Sequence, residues 1–137
     1  MLFRSLNYSF QNIRFISASE KDLLDLVTKS KGPCAIHFAA AALAVEAHRD
    51  ETLRRVLNDG WTIADGVPVR KAIQVFSPTF IGCRGTDFMK LFISQSSPNL
   101  GHYFLGTDSE TLDKLMLSIK QLNPCLNIRS EEHTSEL

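Results

Sequence analysis

The stretch WTIADGVPV, residues 61–69, sets the fold of this chain. Trp61–Ala64 is a short apolar run of strand type, Asp65-Gly66 is a turn dipeptide, and Pro68 suits the first turn of a helix. The strand is therefore predicted to pass directly into a helix that runs to about Val75. A strand followed at once by a helix is half of the βαβ crossover from which parallel sheets are built.

The same alternation continues on both sides of this stretch. Five further segments are apolar and strand-like: Ile13–Ile16, Cys34–Phe38, Thr79–Cys83, His102–Leu105 and Leu126–Ile128. Segments with helical patterning lie between them, and strands that alternate with helices favour parallel pairing. The predicted fold class is α/β, a Rossmann-like and mostly parallel sheet with flanking helices, which we expect to be truncated.

Capping residues mark where the helices should begin. Ser19 and Asp22 form a variant of the capping box, so a helix should follow Ser19. Asp50 should cap a second helix, Glu51–Asn58, with Val56 among its inward-facing residues. These signals are local, because each depends on residues only a few positions apart.

Composition excludes several classes of protein. The 137 residues are 44% hydrophobic, and fifteen Lys and Arg balance fifteen Asp and Glu. A nucleic-acid partner is therefore not expected, since phosphate contacts need a basic excess. No apolar run reaches the length of a membrane-spanning helix. Cys34, Cys83 and Cys125 form no C-x-x-C pair, which argues against a disulfide framework or a zinc site and favours a cytoplasmic location.

Both ends of the chain differ from its middle. Residues 1–12 are predicted to be an N-terminal extension, and residues 13–128 a single, incomplete α/β domain. The last nine residues, Arg129–Leu137, match codon for codon the translation of a common sequencing-library adapter. We therefore expect residues 129–137 to be an adapter-derived tail and the natural chain to continue beyond Ile128.

Three polar turns should lie where parallel strands end. They are Asp65-Gly66, Arg84-Gly85-Thr86-Asp87 and Gly106-Thr107-Asp108. Ligands of open α/β sheets bind at the carboxyl edge, so Asp65, Arg84 and Gly106 are predicted to cluster there. A carboxylate in this partly desolvated position suits a general base. An Asp-Gly turn without a function remains the alternative for Asp65.

The turn before Phe88–Ile93, a predicted helix, is suited to binding an anion. Arg84 supplies a guanidinium, Gly85 a flexible backbone, and the helix start its N–H groups, which suits a diphosphate or a carboxylate. A capped helix start in which Arg84 pairs with a neighbouring acid is the alternative. Gly106-Thr107 is a weaker instance of the same pattern and is not a P-loop.

Taken in chain order, four short motifs resemble those of the WecG/TagA/CpsF family of bacterial glycosyltransferases. The counterparts are Ala47-His48-Arg49-Asp50, Ala64-Asp65-Gly66-Val67-Pro68-Val69, Arg84-Gly85-Thr86-Asp87-Phe88 and Phe104-Leu105-Gly106-Thr107. The resemblance covers most of residues 34–128, which would be the N-terminal portion of a family member. The family usually has an Asn in the strand-to-helix turn where this chain has Ala40.

The resemblance implies a reaction and assigns roles. It implies an inverting, metal-independent transfer of an N-acetylmannosamine-type sugar from UDP, with no cofactor. The acceptor would be N-acetylglucosamine on undecaprenyl diphosphate, in cell-surface polysaccharide or teichoic-acid linkage synthesis. The Asp of the family's A-D-G motif is its proposed general base, a role that falls on Asp65. The substrate-binding residues implied are Gly66, Arg84, Gly85, Asp87, Gly106 and Thr107.

The same resemblance implies partners and a location. The partners are the UDP-sugar donor and the polyprenyl-diphosphate-linked acceptor, with peripheral attachment to the inner face of the cell membrane and a homo-oligomer as a further form. As a truncated piece, this chain is expected to be inactive. Two other functions stay open: a non-catalytic α/β domain that binds a nucleotide or sugar phosphate, and a flavodoxin-like regulatory domain in which Asp65 accepts a phosphoryl group.

Overall fold

The computed structural model describes residues 7–105 and 108–130. Its helices are α1 (Glu20–Lys29), α2 (Ala41–Arg49), α3 (Glu51–Asp59), α4 (Val67–Phe76), α5 (Gly85–Gln95) and α6 (Ser109–Leu122). Its strands are β1 (Asn7–Phe10), β2 (Ile13–Ile16), β3 (Ile36–Ala39), β4 (Trp61–Ala64), β5 (Gly101–Phe104) and β6 (Asn127–Ser130). The chain divides after Phe88 into two compact units, which are described in turn.

The first unit contains a four-stranded sheet in the order β1-β2-β4-β3. β4 pairs in parallel with β2 on one side and with β3 on the other, whereas β1 pairs antiparallel with β2. The prediction of an α/β fold with a mostly parallel sheet is confirmed. Because β2, β3 and β4 run in the same direction, α1, α2 and α4 all begin near the carboxyl edge of this sheet.

β1 lies inside the segment that the sequence assigned to an extension. It is joined to β2 by the two-residue turn Gln11-Asn12, whose φ angles are +53° and +63°. Two successive positive φ angles are typical of the type I′ turn, whose twist matches that of an antiparallel hairpin. The turn therefore folds β1 back along β2, and residues 7–10 join the sheet.

The two predicted N-terminal caps are confirmed. The hydroxyl of Ser19 accepts the backbone N–H of Asp22 at 3.3 Å, and the Asp22 carboxylate accepts the N–H of Ser19 at 3.0 Å. At α3, the carboxylate of Asp50 accepts two backbone N–H groups of the first turn. The prediction that Val56 faces inward is wrong: it is 50% exposed, because α3 turns Leu57, one position along, into the core.

A core on one face of the sheet holds α2, α3 and α4 in place. Its buried members come from these three helices, from β2, β3 and β4, and from one later residue: Ile13, Phe15, Ala39, Ala44, Ala47, Leu57, Ala64, Val69, Ile73 and Phe80. Alanines at the ends of β3 and β4 and on α2 allow the helices to approach the sheet closely. This packing fixes where β3 and β4 end, which positions the residues that follow them.

Thr79–Cys83 was predicted to be a strand, and this prediction is wrong. The segment makes isolated hydrogen bonds rather than a ladder: the N–H of Ile81 donates to the Ser17 hydroxyl at 2.9 Å, and its carbonyl accepts the N–H of Ala18 at 3.1 Å. These partners belong to the loop that follows β2. The segment therefore crosses the end of β2 instead of extending the sheet.

The second unit contains a separate two-stranded sheet in which β5 and β6 are parallel. Ile93, Ile119 and Leu126 form its core. β6 includes Arg129 and Ser130, the first two residues of the segment that the sequence assigned to a tail.

Among the described residues of the second unit, His102 on β5 is buried and titratable. Its side chain is 7% exposed, and its Nε2 atom has no hydrogen-bond partner among the described residues. The ring lies 5.4 Å from that of Phe92 in an edge-to-face arrangement. Burial lowers the pKa of His102, since the charged form would lose its hydration.

Candidate functional site

Asp65 follows β4 directly and is held at the carboxyl edge of the first unit's sheet. Its backbone N–H donates to the carbonyl of Ala39, the last residue of β3, at 3.1 Å. The two neighbouring strands therefore end side by side, and the side chain of Asp65 is partly buried. This is the position that the sequence predicted for it.

Gly66 permits the abrupt change from strand to helix. Its φ is +82° and its ψ 167°, a backbone conformation that is essentially restricted to glycine. α4 begins at the next residue, with Pro68 in its first turn. The glycine thus keeps the start of α4 within two residues of Asp65.

The helices that follow β3 and β4 both begin without a side-chain cap. Ala40 is the N-cap residue of α2, Gly66 that of α4, and neither accepts a backbone N–H through a side chain. In the part of the chain that the structure describes, the first-turn N–H groups of α2 and α4 therefore lack this partner. Such groups, with the positive end of the helix dipole, favour an anion.

A close approach brings a third segment to the end of β4. A Cβ atom added to Gly82 would lie 2.7 Å from the carbonyl oxygen of Ala64, so only glycine fits between them. The contact places Cys83 next to the site. Burial, together with the negative charges of three carboxylates, Glu20, Asp65 and Asp87, raises the pKa of the Cys83 thiol to about 12.

The hydrogen bond from Ala18, just before α1, to Ile81 and the close approach of Gly82 to Ala64 bring α1, the β4–α4 turn and the start of α5 together around Cys83. Glu20 begins α1, Asp65 follows β4, and Asp87 lies in the first turn of α5. The sequence analysis assigned no role to Glu20 or Cys83. The glycine before Cys83 is the sequence feature that could have indicated its position, because the small size of Gly82 allows this segment to approach Ala64.

α5 begins earlier than predicted. The sequence placed Arg84–Asp87 in a turn and the helix at Phe88–Ile93, but α5 starts at Gly85. A Cβ on Gly85 would lie 3.0 Å from the ring of Phe38, so the first turn of α5 packs closely on β3. This tertiary contact extends the helix through residues that look turn-like in sequence.

Arg84 precedes α5 and points toward solvent. Its side chain is 68% exposed, and its Nε lies 4.0 Å from a carboxylate oxygen of Asp87. The pairing with an acid that the sequence analysis gave as an alternative is therefore present, but it is long and exposed and contributes little. The guanidinium remains able to contact an anion at this edge.

Five of the seven predicted site residues lie in the first unit, at or beside this carboxyl edge: Asp65, Gly66, Arg84, Gly85 and Asp87. Gly106 and Thr107 lie outside the described residues, so their predicted place in the site stays a prediction. The catalytic and binding roles of the five also stay predictions. The geometry places the carboxylate of Asp65, the guanidinium of Arg84 and the uncapped starts of α2 and α4 at the same edge of the sheet.

Across residues 7–105 and 108–130, no helix is both long enough and apolar enough to cross a membrane. The same residues contain no group of three or more His, Cys, Asp or Glu side chains placed to hold a metal ion.

Comparison with known proteins identifies the family. A profile of the glycosyl transferase WecG/TagA/CpsF family matches residues 3–135. The matched range includes residues 3–12 and 129–135, which the sequence analysis assigned to the extension and the tail. A comparison with curated proteins finds no match. Because the profile spans nearly all of the chain, the chain belongs to the WecG/TagA/CpsF family of glycosyltransferases, enzymes of cell-surface polysaccharide synthesis.

Proposed function

We propose that this protein transfers an N-acetylmannosamine-type sugar from UDP to N-acetylglucosamine carried on undecaprenyl diphosphate. The reaction inverts the anomeric centre and needs no metal ion. The observation that carries the proposal is the position of Asp65, a carboxylate at the carboxyl end of β4 beside the starts of α2 and α4. The match to a glycosyltransferase family supports a role for this carboxylate in sugar transfer.

Asp65 acts as the general base. A sugar hydroxyl is a poor nucleophile at neutral pH, so the acceptor must lose its proton as it attacks the donor. In one displacement, the acceptor oxygen bonds to the anomeric carbon, its proton moves to the Asp65 carboxylate, and the bond from that carbon to UDP breaks. UDP leaves with the electron pair. Proton removal of this kind is worth about 10²–10⁴-fold in rate.

The leaving diphosphate is stabilised by the protein's own positive groups. Arg84 supplies a full charge that is exposed at the site, and the uncapped starts of α2 and α4 supply backbone N–H groups. Donors fixed in place before the reaction stabilise developing charge effectively. Gly66 and Gly85 leave room for the donor, and Asp87 binds it beside Arg84.

The test compares Asp65→Asn with Asp59→Asn in the protein that the complete gene encodes. Asp59 ends α3 and lies outside the proposed site, so it controls for the loss of one carboxylate. Asp65→Asn should lower turnover by on the order of a hundredfold or more and leave UDP binding intact. Asp59→Asn should leave both unchanged. Near-normal turnover in a folded Asp65→Asn protein would return Asp65 to the role of a turn residue.

A non-catalytic function is the second candidate, and Ala40 favours it. An alanine stands at the start of α2, where the family usually has an Asn that could hydrogen-bond a substrate. In this alternative the protein binds a nucleotide or sugar phosphate and transfers nothing. One measurement distinguishes the two functions. If the complete protein binds UDP but transfers no sugar, the non-catalytic function is supported.

A further inference from the structure

The segment that leads into α5 crosses the carboxyl edge of the first unit's sheet. The strands β2, β4 and β3 lie side by side in that order. Beside β2, Ile81 bonds to the loop that follows this strand. At the end of β4, a Cβ on Gly82 would lie 2.7 Å from the carbonyl oxygen of Ala64, and at β3 a Cβ on Gly85 would lie 3.0 Å from the ring of Phe38. The segment therefore passes the three strand ends in the order of the sheet.

This crossing gives the charged groups of the candidate site an order along the edge. Arg84 immediately precedes Gly85 and therefore lies on the β3 side, where α2 also begins. Asp65 follows β4, the strand between β2 and β3. Glu20 begins α1, which follows β2, so it lies on the β2 side. Glu20 and Arg84 are thus on opposite sides of Asp65.

The carboxylate of Glu20 is not used by the helix that it begins. Ser19 and Asp22 complete the capping box between themselves. Within residues 7–105 and 108–130, the Glu20 side chain has no ion pair and no hydrogen bond. The residue is partly buried, and burial of Cys83, followed by the charges of Glu20 and Asp65, raises the pKa of that thiol. A partly buried carboxylate of this kind favours a ligand that donates hydrogen bonds.

The geometry of an inverting displacement indicates which ligand reaches Glu20, an argument that rests on the proposed function. The oxygen of the acceptor sugar attacks the anomeric carbon from the face opposite the bond to UDP. The acceptor sugar and the diphosphate therefore lie on opposite sides of that carbon. With the diphosphate on the Arg84 side and the base at Asp65, the acceptor sugar extends over the end of β2, where Glu20 lies.

We propose that Glu20 binds hydroxyl groups of the acceptor sugar, on the side of Asp65 that faces away from Arg84. Sugar hydroxyls donate hydrogen bonds, and a bond to an ionised carboxylate is about twice as strong as one between neutral groups. Glu20 takes no proton in the reaction. It binds hydroxyls other than the attacking one and so orients the sugar, which places the attacking hydroxyl between Asp65 and the anomeric carbon.

The test measures binding of an acceptor probe by isothermal titration calorimetry, in the protein that the complete gene encodes and with UDP at saturation. The probe is N-acetylglucosaminyl diphosphate carrying a short alkyl chain, which dissolves without a membrane. Glu20→Ala should weaken probe binding about tenfold or more, as expected for lost hydrogen bonds to a charged group, and leave the affinity for UDP unchanged. Glu20→Gln keeps one oxygen that accepts hydrogen bonds, so its affinity should be intermediate.

Asp25→Ala is the matched control, because it removes an exposed carboxylate from the same helix. It should bind the probe and UDP like the unchanged protein. Kinetics with the sugar donor add a second readout, in which Glu20→Ala should raise KM for the acceptor about tenfold and leave KM for the donor unchanged. A role of Glu20 in stabilising α1 alone would change urea unfolding without this selective effect.

Three results would overturn the proposal. One is a Glu20→Ala variant that binds the probe as tightly as the unchanged protein. Another is a loss of UDP affinity that equals or exceeds the loss of probe affinity, and the third is an unchanged protein that does not bind the probe. The proposed function fails separately: if the unchanged protein binds the probe through Glu20 but transfers no sugar, the role of Glu20 in binding stands and the transfer reaction is refuted.

Discussion

α1 and α2 begin at the same edge of the same sheet, yet their first turns are stabilised differently. α1 has a complete capping box, in which Ser19 and Asp22 satisfy each other's backbone N–H groups. α2 begins at Ala40, which has no side chain able to accept a hydrogen bond, and α4 begins at Gly66 in the same way. The capped helix follows β2, whereas the two uncapped helices follow β3 and β4, beside Asp65.

The difference indicates that residues at one edge of the sheet serve two purposes: the start of α1 stabilises the fold, and the starts of α2 and α4 are left open for a ligand. A cap is worth about 1 kcal/mol, so leaving two helices without one lowers the stability of the unit. The same omission leaves backbone N–H groups available to a ligand. Three substitutions and one pH dependence test this comparison, and urea unfolding can follow each of them through the single tryptophan, Trp61 on β4.

The largest effect is expected at the start of α4. Gly66→Ala should lower the free energy of unfolding by about 1–3 kcal/mol, because φ +82° strains any residue with a Cβ. Gly32→Ala is the matched control, since a Cβ there meets no atom within 4 Å and φ is not positive. Equal stability of the two variants would show that the turn after β4 adjusts without cost.

Removing the cap of α1 should have the next largest effect. Ser19→Ala should cost about 0.5–2 kcal/mol, because the first turn loses its side-chain acceptor. Ser118→Ala is the control, as the Ser118 hydroxyl bonds only to the preceding turn of α6. A Ser19→Ala variant as stable as its parent would mean that water replaces the cap fully.

Adding a cap to α2 should act in the opposite direction. Ala40→Asn should raise the free energy of unfolding by about 0.5–1 kcal/mol, since Asn is among the best N-cap residues and Ala among the poorest. Ala42→Asn places the same side chain inside the helix and should be slightly destabilising. If Ala40→Asn instead destabilises the chain, the edge beside Asp65 has no room for the side chain.

The smallest effect is the pH dependence of the α1 cap. Hydrogen bonds from the Ser19 side chain and backbone hold the pKa of Asp22 below its ordinary value. Asp22 therefore stabilises the fold above the unfolded pKa, near pH 4, and this contribution is lost as the pH falls through the lower folded pKa. Ser19→Ala should make the free energy of unfolding depend less steeply on pH in that acidic range. An unchanged slope would mean that other carboxylates cause the pH dependence.

The parts of the fold that could be predicted are those encoded within a few residues. The caps at Ser19 and Asp50 and the bounds of β4 are correct, because capping and a short apolar run depend on near neighbours. The placement of Asp65 after β4 follows for the same reason. Val56 was misplaced because three apolar residues in α3 compete for one narrow buried stripe, and only packing against the sheet decides between them.

By itself, then, the sequence determined the alternation of strands and helices, the capped helix starts and the carboxylate at the end of β4. Only the tertiary structure decided that residues 7–10 form β1, that Thr79–Cys83 crosses the end of β2 without joining the sheet, and that Gly82 packs against Ala64 beside Asp65. The physical reason is distance along the chain. Ile81 bonds to Ser17 across 64 residues, and a contact of that kind depends on how the whole core packs.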